Sequence, residues 1–326
     1  SPVSVCGYHI RESGCNPAEE MAYAFCIAKA YAHEVMKRGL DVDEFAGRLS
    51  YNINSFGNIF EQVAKYRAGR GLWAKIVKED LKAKDPKSMW LRMIAGGGGG
   101  GLTYEQPELN IVRGAYYALI SALAGTQTMA LCSFDEAYTI PTEYSARISL
   151  RTMQMLTHEM GLCETVDPMA GSYYMETLTN QMRTKMEELM AEVDAEGGIV
   201  EMVRDGRVQA KVSKQAYDMQ LNIDSGEFPK VGVNCFRIDE EEEREVEFHS
   251  YNTKDAELQN ESLKKIRASR DQGAVDKCLA QLKADAKDGK NVMPALVEAV
   301  KVYATVGEMT DTMVEIYGRY EEPIRF

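Results

Sequence analysis

The residues of this chain that could do chemistry gather in a few short stretches. His9, Arg11 and Glu12 fall within the run Gly7-Tyr8-His9-Ile10-Arg11-Glu12-Ser13-Gly14, which closes a strand-like segment beginning at Ser4. A histidine, a guanidinium and a carboxylate at the end of a strand could polarise a carbonyl and orient a ligand. The same residues could form a buried turn satisfied by its own side chains. Six consecutive glycines, 96–101, follow another strand-like run. They lack the GxGxxG spacing and the Lys-Ser/Thr pair of a phosphate loop. Ordering so many glycines is entropically costly, so they read as a flexible loop, as backbone brought close to a ligand, or as a deliberate removal of side chains. Lys65, Arg67 and Arg70 could serve a phosphate on a helix ending near Gly71, or form a solvated basic face. The four histidines show no HxxxH or HxH spacing, which argues against a metal site held by this chain alone. No GxSxG nucleophile elbow is present.

The elements that must position these residues repeat one theme: a short apolar strand, a polar or Gly-rich turn, and an amphipathic helix. The first unit is a strand over 4–8, then a helix whose start is signalled by Asn16 as N-cap, Pro17 at the first position and Glu19 where a capping box wants an acid. Met21, Phe25, Ala28, Ala32 and Val35 recur at helical spacing up to the stop at Gly39. The second unit has a strand over 48–53 and a helix over 59–77. The third has a strand over 89–94, the glycines and a helix over 109–123, and the fourth a strand over 128–132 and a helix over 142–158. Such alternation implies parallel strands with right-handed crossovers. A (β/α)8 barrel needs eight strands and about 250 residues, so four units make a small open sheet or half a barrel. The sequence places the polar residues His9, Ser50, Arg92 and Ser133 at strand C-termini, where barrels build their sites, and that favours the half-barrel. After residue 163 the pattern turns helical, over 178–195, 198–204 and 213–225, with two or three more helices over 255–320. A β hairpin is expected near 231–249, pairing 231–237 with 246–249 around the acidic run 239–243. This divides the chain into 1–162 and a mainly helical 163–326.

The 326 residues carry 38 Lys+Arg against 50 Asp+Glu, a net charge of −12, which makes nucleic acid a poor partner. No apolar run approaches the roughly 20 residues that span a bilayer, and nothing at the N-terminus resembles a signal peptide. The opening at Ser1, without Met and close to a strand, reads as the start of a fragment or a cut chain. Seven scattered cysteines with no CxxC pair suggest reduced thiols and a cytoplasmic location.

A series of colinear motifs then carries a resemblance. GYHIRESG, DVDEFAGRLSYN, FEQVAKYRAGRGLWAKI, LTYEQPELNIVRGA, GTQTMALCSFDEAYTIPTEYSARISLRT, ETVDPMAGSYYMETLTN, KVGVN, LKKIRASRDQ and ATVGEMTD occur in this order, from Val3 to about Tyr320. Together they resemble the C-terminal portion of the large, catalytic subunit of the methylmalonyl-CoA mutase family. The resemblance implies an α/β fold: strands five to eight of a (β/α)8 TIM-type barrel, followed by a mostly α-helical extension. It implies radical 1,2-rearrangement of an acyl-CoA carbon skeleton with adenosylcobalamin. That cofactor would be bound mainly by a domain or subunit outside this chain, since no DxHxxG signature occurs. Implied partners are the acyl-CoA substrate, the missing N-terminal barrel half and a small cobalamin-binding subunit, in a hetero-oligomer.

By the same resemblance, His9 matches the histidine that hydrogen-bonds the thioester carbonyl, and Tyr8 its neighbour in the radical cavity. Glu12 and Glu136 match acids near the adenosyl group and corrin. Arg48 and Ser50 match groups on the coenzyme A side of the channel, and Arg92 keeps the strand-seven arginine. The family pattern Arg-Phe-His-x-Gln-Thr is here Arg92-Met93-Ile94-Ala95-Gly96-Gly97, and His-Thr-Asn is Ala130-Leu131-Cys132. A family aromatic falls at Asn52. Ile94, Gly96 and Cys132 are therefore expected to line a pocket larger and less polar than that for methylmalonyl-CoA. The alternative from another class is a non-catalytic, corrinoid-protein-binding or scaffold relative, favoured by the lost His and Gln. Retention of Tyr8, His9, Glu12, Arg48 and Glu136 together favours the mutase.

Overall fold

The computed structural model describes residues 3–238 and 247–323. Contacts divide it into two compact units, Ser1–His249 with Pro323–Phe326, and Ser250–Glu322. The first opens with β1 (Ser4–Cys6), α1 (Gly7–Glu12), α2 (Pro17–Lys37) and the short α3 (Val42–Phe45). It continues with β2 (Ser50–Asn54), α4 (Ile59–Lys75), β3 (Met93–Gly96), α5 (Leu109–Leu123), β4 (Thr128–Ala130) and α6 (Glu143–His158). The helices α7 (Tyr173–Ala195), α8 (Ile199–Arg204) and α9 (Arg207–Asp224) complete it. The four strands pair in parallel in the order β1-β2-β3-β4, with Cys6 beside Asn52, Asn52 beside Ile94 and Ile94 beside Thr128. Alternating strands and helices thus give the expected parallel sheet, an α/β arrangement consistent with a partial barrel.

The strand period of two divides the sheet into unlike faces. Val5, Tyr51, Ile53, Met93 and Ala95 are buried against helices. Phe25 stacks on Trp73 with centroids 5.5 Å apart, and Tyr51 meets both rings edge-on at 5.8 and 5.2 Å. The opposite row, Cys6, Asn52, Ile94 and Thr128, is half-buried to exposed. Outside the inner helices, α7 packs across α2 and α4.

Several boundaries differ from expectation for local reasons. The first strand ends at Cys6, not Tyr8, because Gly7 turns the chain tightly over β2 and α2. A Cβ there would lie 2.9 Å from Ile53 Cδ1 and 3.2 Å from Glu20 Cγ. Asn16 caps α2 by accepting from the Ala18 and Glu19 amides, as expected. Glu19 does not close a capping box; its carboxylate accepts from Gln215 instead. β2 and β3 begin at Ser50 and Met93, later than the apolar runs suggested, so Ser50 and Arg92 stand at strand N-termini and not at the C-termini expected, and Arg48 precedes β2. No strand forms over the described part of 231–249, where a single bridge joins Val231 and Cys235. Asn234 accounts for this. It accepts from the Lys230 amide at 2.7 Å and donates to the Ile223 and Phe228 carbonyls, folding the segment into a pinned loop. Residues 239–246, the acidic run and the start of the returning strand, lie outside the described residues.

The second unit holds α10 (Thr253–Ser269), α11 (Gln272–Lys287), α12 (Met293–Lys301) and α13 (Val306–Tyr317), four helices where two or three were expected. Val275, Leu282, Ala295, Ala299 and Met309 form its core. The Arg270 guanidinium is clamped by Glu308 and by the Tyr303 carbonyl, and this holds the Glu308 carboxyl down at about 2. No described helix is long and apolar enough to cross a membrane.

Candidate active site

Four loops meet at the C-terminal ends of the strands, and each brings one kind of group. From β1 the chain passes directly into α1, which projects Tyr8, His9 and Glu12. After β2 comes the turn Asn54-Ser55-Phe56, after β3 the glycines, and after β4 Cys132, Ser133 and Glu136. The convergence is tight. The point where a Cβ on Gly99 would stand lies 3.6 Å from Cys132 Sγ, 3.7 Å from the Tyr8 hydroxyl and 3.8 Å from Glu12 Oε1.

The glycine loop is neither open nor loose against this cluster. A Cβ on Gly96 would overlap the Tyr8 ring, one on Gly97 the Cys132 amide, and one on Gly100 the Glu12 carboxylate. Gly98 adopts φ +75°, a conformation that glycine takes without steric cost. Gly101 and Leu102 then close a short 3-10 turn through amide bonds to the Gly98 and Gly99 carbonyls. The main chain of the loop is thus packed against the Tyr8 ring, the Cys132 backbone and the Glu12 carboxylate of this chain.

Burial keeps the phenol and the thiol of the cluster protonated. Burial raises the Tyr8 phenol well above its ordinary range, and the nearby Glu12, Cys132 and Glu136 add to the shift. Burial, then Glu136, pushes the Cys132 thiol up to about 12. Both groups are neutral hydrogen-bond donors at physiological pH. Glu136 is anchored by accepting from the Ser133 amide at 2.9 Å. His9 is exposed, with its ring edge-on to Tyr8 at 5.5 Å. Ile94 sits half-buried at the middle of the open face.

Thus Tyr8, His9, Glu12, Gly96, Cys132 and Glu136 come together, with Ile94 just below them. Arg48, Ser50 and Arg92 do not join them. They lie at the other end of the strands, roughly 13 Å away along β2 at about 3.3 Å per residue. Arg48 and Arg92 are exposed, and Arg92 donates to the Gly47 carbonyl at 2.9 Å. The basic trio on α4 is neither a phosphate site nor a solvated face. Lys65 is fully buried against Glu20, Arg67 pairs with Asp167 and Glu176, and Arg70 donates to the Ala124 carbonyl. Each has a different cover: α2 and the end of β2 for Lys65, α7 and the loop before it for Arg67, and the end of α5 for Arg70.

Two residues beside the cluster escaped sequence reasoning. Asn54 donates to Glu12 from the end of β2. Ser55 donates to the Gly96 carbonyl at 2.7 Å. The only signal for them is position, immediately after a strand in an α/β pattern. Among the described residues no group of three or more His, Cys, Asp and Glu side chains could hold a metal ion.

Comparison with known proteins places this geometry in a family. A sequence model of methylmalonyl-CoA mutase matches residues 1–319. The chain is 39% identical over 323 residues to the 2-hydroxyisobutanoyl-CoA mutase large subunit of Aquincola tertiaricarbonis, covering 99% of this chain and 57% of that protein. It is 37% identical to the methylmalonyl-CoA mutase of Cereibacter sphaeroides, covering 99% and 45%. It is also 37% identical to the mitochondrial methylmalonyl-CoA mutase of Homo sapiens, covering 98% and 42%. The chain spans about half the length of the curated relatives it matches. A match that runs almost end to end, over a sheet whose strand ends carry the Tyr8-His9-Glu12 cluster, shows that the chain belongs to the methylmalonyl-CoA mutase family.

Proposed function

We propose that this chain is the catalytic-subunit portion of an adenosylcobalamin-dependent acyl-CoA mutase, an isomerase that rearranges the carbon skeleton of an acyl-CoA. The observation that carries this reading is the convergence of Tyr8, Glu12 and Cys132 on one point over the glycine loop. Residues 1–162 supply strands five to eight of the (β/α)8 barrel and 163–326 the helical segment. The open face of the sheet, unlike the face packed on helices, awaits the other barrel half, because parallel sheets are ordinarily covered on both sides. A small cobalamin-binding subunit completes a hetero-oligomer in the cytoplasm.

The donor set suits the cofactor. Glu12 and Glu136 offer acceptor oxygens at the strand ends, fit for the hydroxyls of an adenosyl ribose. Bound adenosylcobalamin would supply homolytic cobalt–carbon chemistry, a source of radicals. His9 donates to the thioester oxygen and stabilises charge there as the acyl group rearranges. Neutral Tyr8 walls the cavity and adds no negative charge beside that oxygen. The acyl end lies against Tyr8 and Ile94, and the coenzyme A chain runs down the open face toward Ser50, Arg48 and Arg92. The acyl group is bulkier than methylmalonyl. Gly96 leaves no void, because the Tyr8 ring fills its place, so the added room comes from Ala130, Cys132 and Asn52.

The test is electron paramagnetic resonance on the complete enzyme with adenosylcobalamin and a panel of acyl-CoAs, alongside kcat/KM for each. A substrate-dependent radical signal with a preference for branched or aryl acyl groups is the expected result. A preference for methylmalonyl-CoA removes the bulkier-substrate reading, and no signal with any acyl-CoA favours a non-catalytic relative.

A further inference from the structure

The most deeply buried charges of the first unit lie beneath the cluster. Lys65 and Glu20 are both 0% exposed and pair at 2.7 Å. Both also reach the same residue, the last of β2. The second oxygen of Glu20 accepts from the Asn54 amide at 2.6 Å, and the Lys65 ammonium donates to the Asn54 carbonyl at 2.6 Å. The Tyr66 hydroxyl adds a second donor to that carbonyl at 2.8 Å. The main chain of Asn54 is therefore gripped at its N–H and at its C=O by one ion pair. Its side chain is fixed in turn. Oδ1 accepts from the Ser55 amide at 2.8 Å, and Nδ2 donates to Glu12 Oε1.

A desolvated ion pair is a weak source of stability, since an apolar pair of similar volume often does as well or better. Holding α2 against α4 needs no charge. What charges at this place do is lock one strand-end peptide and the amide it carries. We propose that the Lys65–Glu20 pair is a positioning device: it fixes Asn54, and through the Asn54 amide it holds the Glu12 carboxylate over the glycine loop, in the orientation that receives the adenosyl group. The identity of that ligand rests on the mutase reading; the clasp rests on the contacts alone. Lys65, Glu20 and Asn54 are positioning residues, because each acts on the carboxylate of Glu12 and not on a ligand. Ser55 extends the device, since its hydroxyl ties the same turn to the Gly96 carbonyl at 2.7 Å.

The experiment uses the complete enzyme and three readouts: adenosylcobalamin affinity by absorbance titration, acyl-CoA affinity, and thermal unfolding. Asn54→Leu is expected to weaken adenosylcobalamin binding by about tenfold, the scale of a lost charge-assisted hydrogen bond. Acyl-CoA affinity should stay within about twofold, as for an independent site. Lys65→Met alone leaves a buried carboxylate unpaired and lowers the Tm. The double variant Lys65→Met/Glu20→Leu should recover the Tm while cofactor affinity stays about tenfold weakened. A double variant that recovers both stability and cofactor affinity overturns the proposal. So does an Asn54→Leu enzyme that loses both ligands alike, and this variant decides the matter if the double variant does not fold. A wild-type enzyme that binds no adenosylcobalamin overturns the mutase reading itself, and the proposal with it.

Discussion

The two faces of the parallel sheet are finished to different degrees. On the helix side, Tyr51, Phe25 and Trp73 make a closed aromatic cluster from three separate elements, and the neighbouring Val5, Ile53, Met93 and Ala95 are buried by this chain alone. On the other side, Cys6, Asn52, Ile94 and Thr128 remain partly open, and the buried Oδ1 of Asn52 has no hydrogen-bond partner among the described residues. One face is a core and the other is a wall. The same strands serve both because successive side chains point in opposite directions. Stability and function therefore lie on alternate residues, and substitutions should separate them.

The sharpest break is on the core side. Trp73→Ala should cost about 3–5 kcal/mol by emptying the centre of the aromatic cluster, measured by denaturant unfolding. A loss under about 1 kcal/mol would show that the cluster is not the core it resembles. Next, at the strand ends, His9→Ala should lower kcat about a hundredfold, on the order of 3 kcal/mol, with the unfolding midpoint unchanged. Equal damage to both would merge the two faces again. Gly96→Ala tests the junction, since its Cβ meets the Tyr8 ring. It should cost about 1–3 kcal/mol as overpacking and reduce turnover as well.

A smaller effect comes with pH. The Cys132 thiol ionises at about 12 in the folded chain against 9.0 for an unperturbed thiol. Below pH 9 both states keep the proton and the thiol contributes nothing; as pH rises from 9 toward 12 the unfolded state loses it first and stability falls. Unfolding measured across that window should decline less steeply in Cys132→Ala than in the wild type. The smallest change is on the core face. The Tyr51 hydroxyl is buried without a hydrogen-bond partner among the described residues, so Tyr51→Phe should be neutral or stabilise by up to about 1 kcal/mol. A clear loss of stability would mean that the hydroxyl is bonded after all.

Much of the fold was legible because its signals are local. Asn16 and Pro17 announced the start of α2, and the apolar period of 109–123 matches α5 residue for residue. Strand ends were less legible. The apolar runs at 48–53 and 89–94 look like strands throughout, yet pairing begins only at Ser50 and Met93, where a neighbour presents its edge. Ser50 and Arg92, expected at strand C-termini, therefore lie at the opposite end of the sheet from His9.

By itself the sequence determined the order of strands and helices, the helix caps and the presence of Tyr8, His9 and Glu12 at a strand end, because backbone propensity and periodicity act over a few residues. Tertiary structure decided the rest. Lys65 could be exposed or buried on a helix of that composition, and it is buried because Glu20 arrives from α2, 45 residues away in sequence. Arg67 became an anchor only because Asp167, 100 residues on, is brought beside it. The glycines could be slack or packed, and they are packed because Tyr8 and Cys132 reach them from different strands. Burial, ion pairing and close backbone approach depend on partners remote in sequence, and no local pattern along the chain encodes where those partners come to rest.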